Sequence, residues 1–205
     1  MIRKSCFLVL SLFVFAVFLT GCPKKIPEPV ISEKEVVTDP IAKLFEAFSA
    51  AESLQAGASI RIDTVRNGEE MFFLLNGFLL YQKPNLLRLQ GYHPFGMGLF
   101  DALYRNGEFF LLIPPQKRAY TGEVSQMEEL KDRAGVIQIL VEKNEGNGIP
   151  RRIQIELVEK ETRIDLKLKD VVINPVLPGD SFDWVVPQGV KVRSLERLLK
   201  EKKIE

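Results

Sequence analysis

One residue of this chain sits in a context that specifies covalent chemistry. Cys22 follows Leu19-Thr20-Gly21, and Pro23-Lys24-Lys25 comes after it. Small residues ahead of a cysteine suit a peptidase with a narrow cleft, and the cysteine thiol can accept a thioether-linked diacylglycerol. The lead-in agrees. Met1 to Lys4 is a short positive stretch, and Cys6 to Leu19 is an apolar run of 14 residues. That is the length of a secretory signal core, short of the roughly 20 residues a bilayer-spanning helix needs. With residues 1–21 removed, Cys6 is discarded and Cys22 is modified. No disulfide then forms, so the core must hold the fold in a compartment that would allow disulfides.

Other reactive groupings are sparse. The 28 basic and 27 acidic residues leave a net charge of +1, without the basic excess of a nucleic-acid binder. The chain has a single histidine, His93, flanked by Tyr92, Pro94 and Phe95. No neighbouring carboxylate orients it and no second histidine shares a metal, so neither a catalytic nor a metal site is expected. Glu69-Glu70 are adjacent on a strand pattern, which sends them to opposite faces. Gly96-Met97-Gly98 lacks the third glycine of a dinucleotide loop and reads as a turn. The sequence points to a protein with no catalytic residues and no cofactor.

The elements that would position these residues follow from periodicity. Residues 22–40, rich in proline and charges of both signs, read as a flexible tether behind the lipidated cysteine. Asp39-Pro40 opens a helix, since Asp39 can cap free amides and Pro40 suits the first turn. Leu44, Phe45 and Phe48 lie on its apolar face, with Ile41, Ala51 and Leu54 continuing the spacing and Gly57 stopping it. From Ser59 the period is two, with Ile60 and Ile62 alternating with Arg61 and Asp63. Asn67-Gly68 and Asn106-Gly107 signal tight hairpins.

Met71 to Tyr81 is apolar on both faces except at Asn76 and Gly77. Strands are expected over 86–92, 99–105, 108–113, 118–122 and around Ile153 and Ile164, with another at Phe182 to Val186; 136–142 fits helix or strand, and its β-branched content favours strand. Ser125 to Arg133 reads as a brief helix and Leu195 to Lys202 as a short basic one, within a tail of 193–205. About ten antiparallel strands in sequence order would close or half-close into a curved sheet, and the first helix is placed to cover its concave face. The fold expected is mainly β with α.

Two resemblances extend this reading. Leu19 to Cys22 resembles the lipobox of bacterial lipoproteins, which implies cleavage before Cys22 and acylation there. Pro23 in place of aspartate resembles enterobacterial signals that permit export to the outer membrane. The body, residues 41–192, resembles the LolA/LolB-like lipoprotein-localisation family. The resemblance lies in Pro84-Asn85-Leu86-Leu87-Arg88-Leu89, in Pro94-Phe95-Gly96 and Asn106-Gly107, in Ile149-Pro150-Arg151-Arg152-Ile153, and in Phe182 to Val192.

That resemblance implies an open half-barrel with a helical lid over an apolar cavity. It implies a lipid-anchored protein on the periplasmic face of the outer membrane, binding the acyl chains of a lipoprotein or lipid. A soluble LolA-like periplasmic carrier is the implied partner, with the membrane held through the anchor. The loop Tyr92 to Gly98 would enter the membrane through Tyr92, Phe95 and Met97, with Phe95 foremost. Either face of the double-sided strand can line the cavity. Phe72, Leu74, Phe78 and Leu80 are the expected liners, and Phe73, Leu75, Leu79 and Tyr81 are the alternate set. A structural or assembly lipoprotein using the curved sheet as a protein-binding platform is the second reading.

Overall fold

The computed structural model describes residues 35–36, 39–123, 135–195 and 197. All of them belong to one compact unit, Ser32–Glu205. The signal and the anchor lie outside the described residues, as do Ser125 to Arg133 and the C-terminal basic segment beyond Leu195 and Arg197. Two residues of the expected tether, Glu35–Val36, form a short strand β1 that pairs with Gln138 and Ile139.

The helix α1 spans Pro40–Phe48. Its start follows the capping logic, with Asp39 Oδ1 accepting from the amides of Ile41 and Ala42 at 3.1 Å each. Its end comes earlier than the spacing predicts. Ser49 donates from its amide and its hydroxyl to the Glu46 carbonyl, and the chain turns into a strand at Ser53. Ala51 and Leu54 are still buried in the same core, Leu54 because it points inward from that strand. Small residues on the inward side, Ala56 and Ala58, hid the strand's first half from a pattern search.

The strands are β2 (Ser53–Arg66), β3 (Glu69–Gln82), β4 (Leu86–Tyr92), β5 (Gly98–Arg105), β6 (Glu108–Ile113), β7 (Arg118–Glu123), β8 (Ile137–Lys143), β9 (Pro150–Leu157), β10 (Thr162–Ile173) and β11 (Lys191–Ser194). Both expected two-residue hairpin turns are present. Asn67 and Gly68, and likewise Asn106 and Gly107, all have positive φ, as a type I′ turn requires.

The sheet has eleven strands in the order β1-β8-β9-β10-β2-β3-β4-β5-β6-β7-β11. It is antiparallel except for β11, which runs parallel to β7. Sequence order therefore holds only within β2 to β7 and within β8 to β10. The second group attaches to the free side of β2, from Thr162↔Thr64 to Ile173↔Leu54. This leaves β7 and β8, neighbours in sequence, near opposite ends of the sheet.

Phe182 to Val186 is not a strand. The closing strand is β11, and residues 174–190 cross the convex face to reach it. Pro175, Pro178 and Pro187 lack the amide hydrogens a ladder needs, so this stretch works as a strap. It is pinned at its start where Asn174 Oδ1 accepts from the Glu52 amide at 2.8 Å. Arg88 Nη1 donates to the Ser181 carbonyl at 2.7 Å, and Arg105 Nη1 to the Phe182 carbonyl at 3.3 Å.

Candidate apolar binding face

Strand periodicity gives the sheet two chemically different sides. On the concave side, β2 presents Leu54, Ala56, Ala58 and Ile60, all buried. Register carries this face across its neighbours, with Ile60 opposite Leu75, Ala56 opposite Leu79 and Leu54 opposite Tyr81. Leu79 is in turn opposite Leu89, and Tyr81 opposite Leu87. On the other wing, Ile164 and Leu166 pair with Ile155 and Ile153, extending the aliphatic surface toward Ile139.

The helix covers one end of this face. Phe45 and Phe48 bring their rings to 5.8 and 5.4 Å from that of Tyr81, and Phe45 also sits 5.2 Å from Tyr104. Leu44 packs against the same core. The three expected lid residues therefore lie on the concave side. Burial raises the pKa of the Tyr81 phenol, so it stays neutral at physiological pH. Farther from this end, Ile62, Leu75, Leu89, Phe100, Ile155 and Ile164 are only half-buried. Room for the Phe100 ring comes from Gly91, where a β-carbon would fall 2.1 Å from Phe100 Cε1.

The four residues expected to line the cavity from β3 lie on the convex side. Phe78 and Leu80 pack there with Leu103 and with Leu177, Phe182 and Trp184 of the strap. Phe72 and Leu74 are exposed beyond it. The helix-facing set is the alternate one: Phe73, Leu75, Leu79 and Tyr81. The sequence held the signal. A two-residue turn at Asn67-Gly68 pairs Arg66 with Glu69, and counting back sets Ile60 and Ile62 across from Leu75 and Phe73. Ile60 and Ile62 alternate with charges, so their side is the buried one. The strap was the second missed feature; its signal is the trio of prolines around Phe182 and Trp184.

The loop after β4 is displayed as expected at its tip but not at its base. Phe95 is 92% exposed and Met97 56%. The loop closes on itself, with the His93 amide donating to the Met97 carbonyl at 2.8 Å and the Phe95 amide to His93 Nδ1 at 3.3 Å. Tyr92 is half-buried, the last residue of β4, and its hydroxyl bonds Gln90 Oε1 at 2.8 Å. It joins a convex-face network in which Gln90 and Arg88 both donate to Asp101.

The convex side of the other wing is polar. Arg152 donates through Nε and Nη2 to the Asp165 carboxylate, and its Nη1 lies 3.3 Å from Glu142 Oε1. Burial pushes the Asp165 carboxyl up, but the hydrogen bonds and charge of Arg152 outweigh it and hold it below the usual carboxylate range. Among the described residues, no group of three His, Cys, Asp or Glu side chains could hold a metal ion. No described helix is long and apolar enough to cross a membrane.

No family model and no curated protein matches this sequence. Solved structures do. The chain is similar to a LolA superfamily protein from Nitrosomonas europaea. Identity there is 11%, over 70% of this chain and 97% of that one, with a TM-score of 0.46. It is also similar to a DUF1329 family protein from Desulfovibrio piger, at 9% identity over 71% of this chain and 98% of that one, with a TM-score of 0.44. The architecture described above, an open antiparallel half-barrel with a helix on its concave face, is the one the LolA/LolB-like resemblance implied.

Proposed function

We propose that this chain is a lipid-anchored envelope protein whose half-barrel holds acyl chains on its concave face. In this reading it helps move or insert a lipoprotein or lipid at the outer membrane and leaves its cargo chemically unchanged. One observation carries it. Beyond the reach of α1, the concave side keeps a band of half-buried aliphatic and aromatic residues, among them Ile62, Leu75, Leu89 and Phe100. Methylenes laid on that band leave water at about 0.8 kcal/mol each. The favourable term is non-directional, which suits cargo of varied structure with acyl chains in common.

The remaining parts take their places around that band. Residues 1–21 act as signal, Cys22 as the acylated anchor, and residues 22–40 as the connection to the half-barrel of 41–192. The basic tail expected over 193–205 starts after Ser194, since Arg193 and Ser194 belong to β11. The exposed tip at Phe95 and Met97 meets the membrane, and a soluble LolA-like carrier supplies the cargo.

The test uses the mature protein purified from membranes. Intact mass is expected to show an acylated N-terminal Cys22, and native mass spectrometry is expected to show bound lipid. Leu75→Gln, on the concave face, should lose that lipid. Leu74→Gln, one residue along the same strand but on the convex side, should keep it. Equal lipid occupancy in the two variants would rule out the concave band as the binding surface.

A further inference from the structure

We infer that the edge of β3 over Glu69–Leu75 takes up an extended strand from a partner protein, apolar along its length and basic at its C-terminal end. β3 pairs with β2 along all of Glu69–Gln82, but with β4 only from Asn76 to Gln82. Over the first half of β3, the side away from β2 meets no strand among the described residues. β4 has by then turned into the loop after Tyr92, whose His93, Phe95 and Gly96 amides bond within the loop. Met71, Phe72, Phe73 and Leu74 are 39%, 62%, 46% and 54% exposed. Natural edge strands are normally blunted by charged side chains, proline or a bulge; here the charges are confined to Glu69 and Glu70 at the tip, and Met71 to Leu75 has none of the three.

The occupant follows from what must be satisfied. These four side chains alternate between the two faces, so an occupant has to cover both sides of one edge. It also has to pair the edge's backbone amides and carbonyls. A strand in line with β4 does both, giving main-chain bonds and one side chain above and one below at each step. A bilayer supplies no partners for backbone groups. It would also have to admit Arg66, Glu69 and Glu70 first, because all three are exposed at the hairpin tip beyond the apolar run. An incoming strand antiparallel to β3 runs in the direction of β4, and its C-terminal end arrives beside Glu70 and Glu69. Those two carboxylates select a basic end. The inference goes beyond acyl-chain binding and does not depend on it.

The experiment adds a defined probe to the purified mature chain. The probe is a peptide of six alternating valines and leucines followed by two C-terminal lysines and an amide. Its controls are the same peptide with alternate backbone amides N-methylated, and a version ending in two glutamates. Hydrogen exchange of the β3 amides and calorimetry are the readouts. The lysine peptide is expected to slow exchange over residues 70–75. The N-methylated peptide should give no protection, and the glutamate peptide should bind about 5-fold more weakly, as expected for exposed ion pairs. Phe72→Lys, with folding checked by Trp184 fluorescence, should abolish the protection. Protection by the N-methylated peptide would overturn the proposal. So would its absence at millimolar lysine peptide, its appearance on raising protein concentration alone, or its appearance only with phosphatidylcholine vesicles. None of these outcomes depends on lipid co-purification, so the two readings fail separately.

Discussion

At the scale of single residues, the polar side of the sheet is as specified as the apolar one. Asp165 is buried on the convex face and stays ionised because the Arg152 guanidinium supplies both charge and hydrogen bonds. Its folded pKa lies below its unfolded one, so its contribution is fully present above about pH 4, the ordinary carboxylate value. That contribution fades as pH falls through the depressed folded value. Asp165→Asn is expected to lower stability by about 1–3 kcal/mol at pH 7. In urea denaturation, the gap between wild type and variant should hold to about pH 4 and close below it. A gap that widened on acidification would contradict this sign. Gly91 acts by absence, since the Phe100 ring occupies the space its side chain would fill.

At the scale of elements, the strap gives the clearest measurement. Phe182 is buried against Leu80 and Leu103, and Trp184 lies 5.3 Å from the Phe110 ring. Trp184 is the only tryptophan, so its emission reports the strap alone. Phe182→Ala should cost about 3 kcal/mol and shift Trp184 emission to the red as the strap loosens. An unchanged spectrum with unchanged stability would show that the strap is not part of the core. The strap also marks where sequence reading ran short. Residues 182–186 have a strand's composition, but their partners are side chains on a convex sheet face, and contact of that kind leaves no period. Hairpin turns and the helix cap were legible because their causes are local: asparagine-glycine pairs tolerate positive φ, and Asp39 reaches its own helix's amides. The attachment of β10 to β2 was not legible, because no residue near either strand encodes its distant neighbour. The helix-covered side of β3 was recoverable by counting through the Asn67-Gly68 turn.

At the scale of the whole molecule, the half-barrel presents both an apolar band and an exposed loop. Phe95→Glu should leave the fold intact, because Phe95 is almost wholly exposed and its loop is closed by backbone bonds. It should impair delivery of acylated cargo to vesicles, measured as cargo floating with lipid in a density gradient. Normal delivery by the variant would count against a membrane-facing loop. The sheet order carries a consequence for biogenesis. Strands β2 to β7 are joined by short turns and can zip up as they emerge. The far side of β2 waits for β10, and the Thr64–Thr162 hydroxyl contact closes a loop of 98 residues. Loop-closure entropy makes such late pairings slow. Until they form, the early meander bares aliphatic residues on both of its surfaces. A nascent chain released before Phe182 has no strap for the convex side, and it would depend on chaperone protection for as long as that side stays bare.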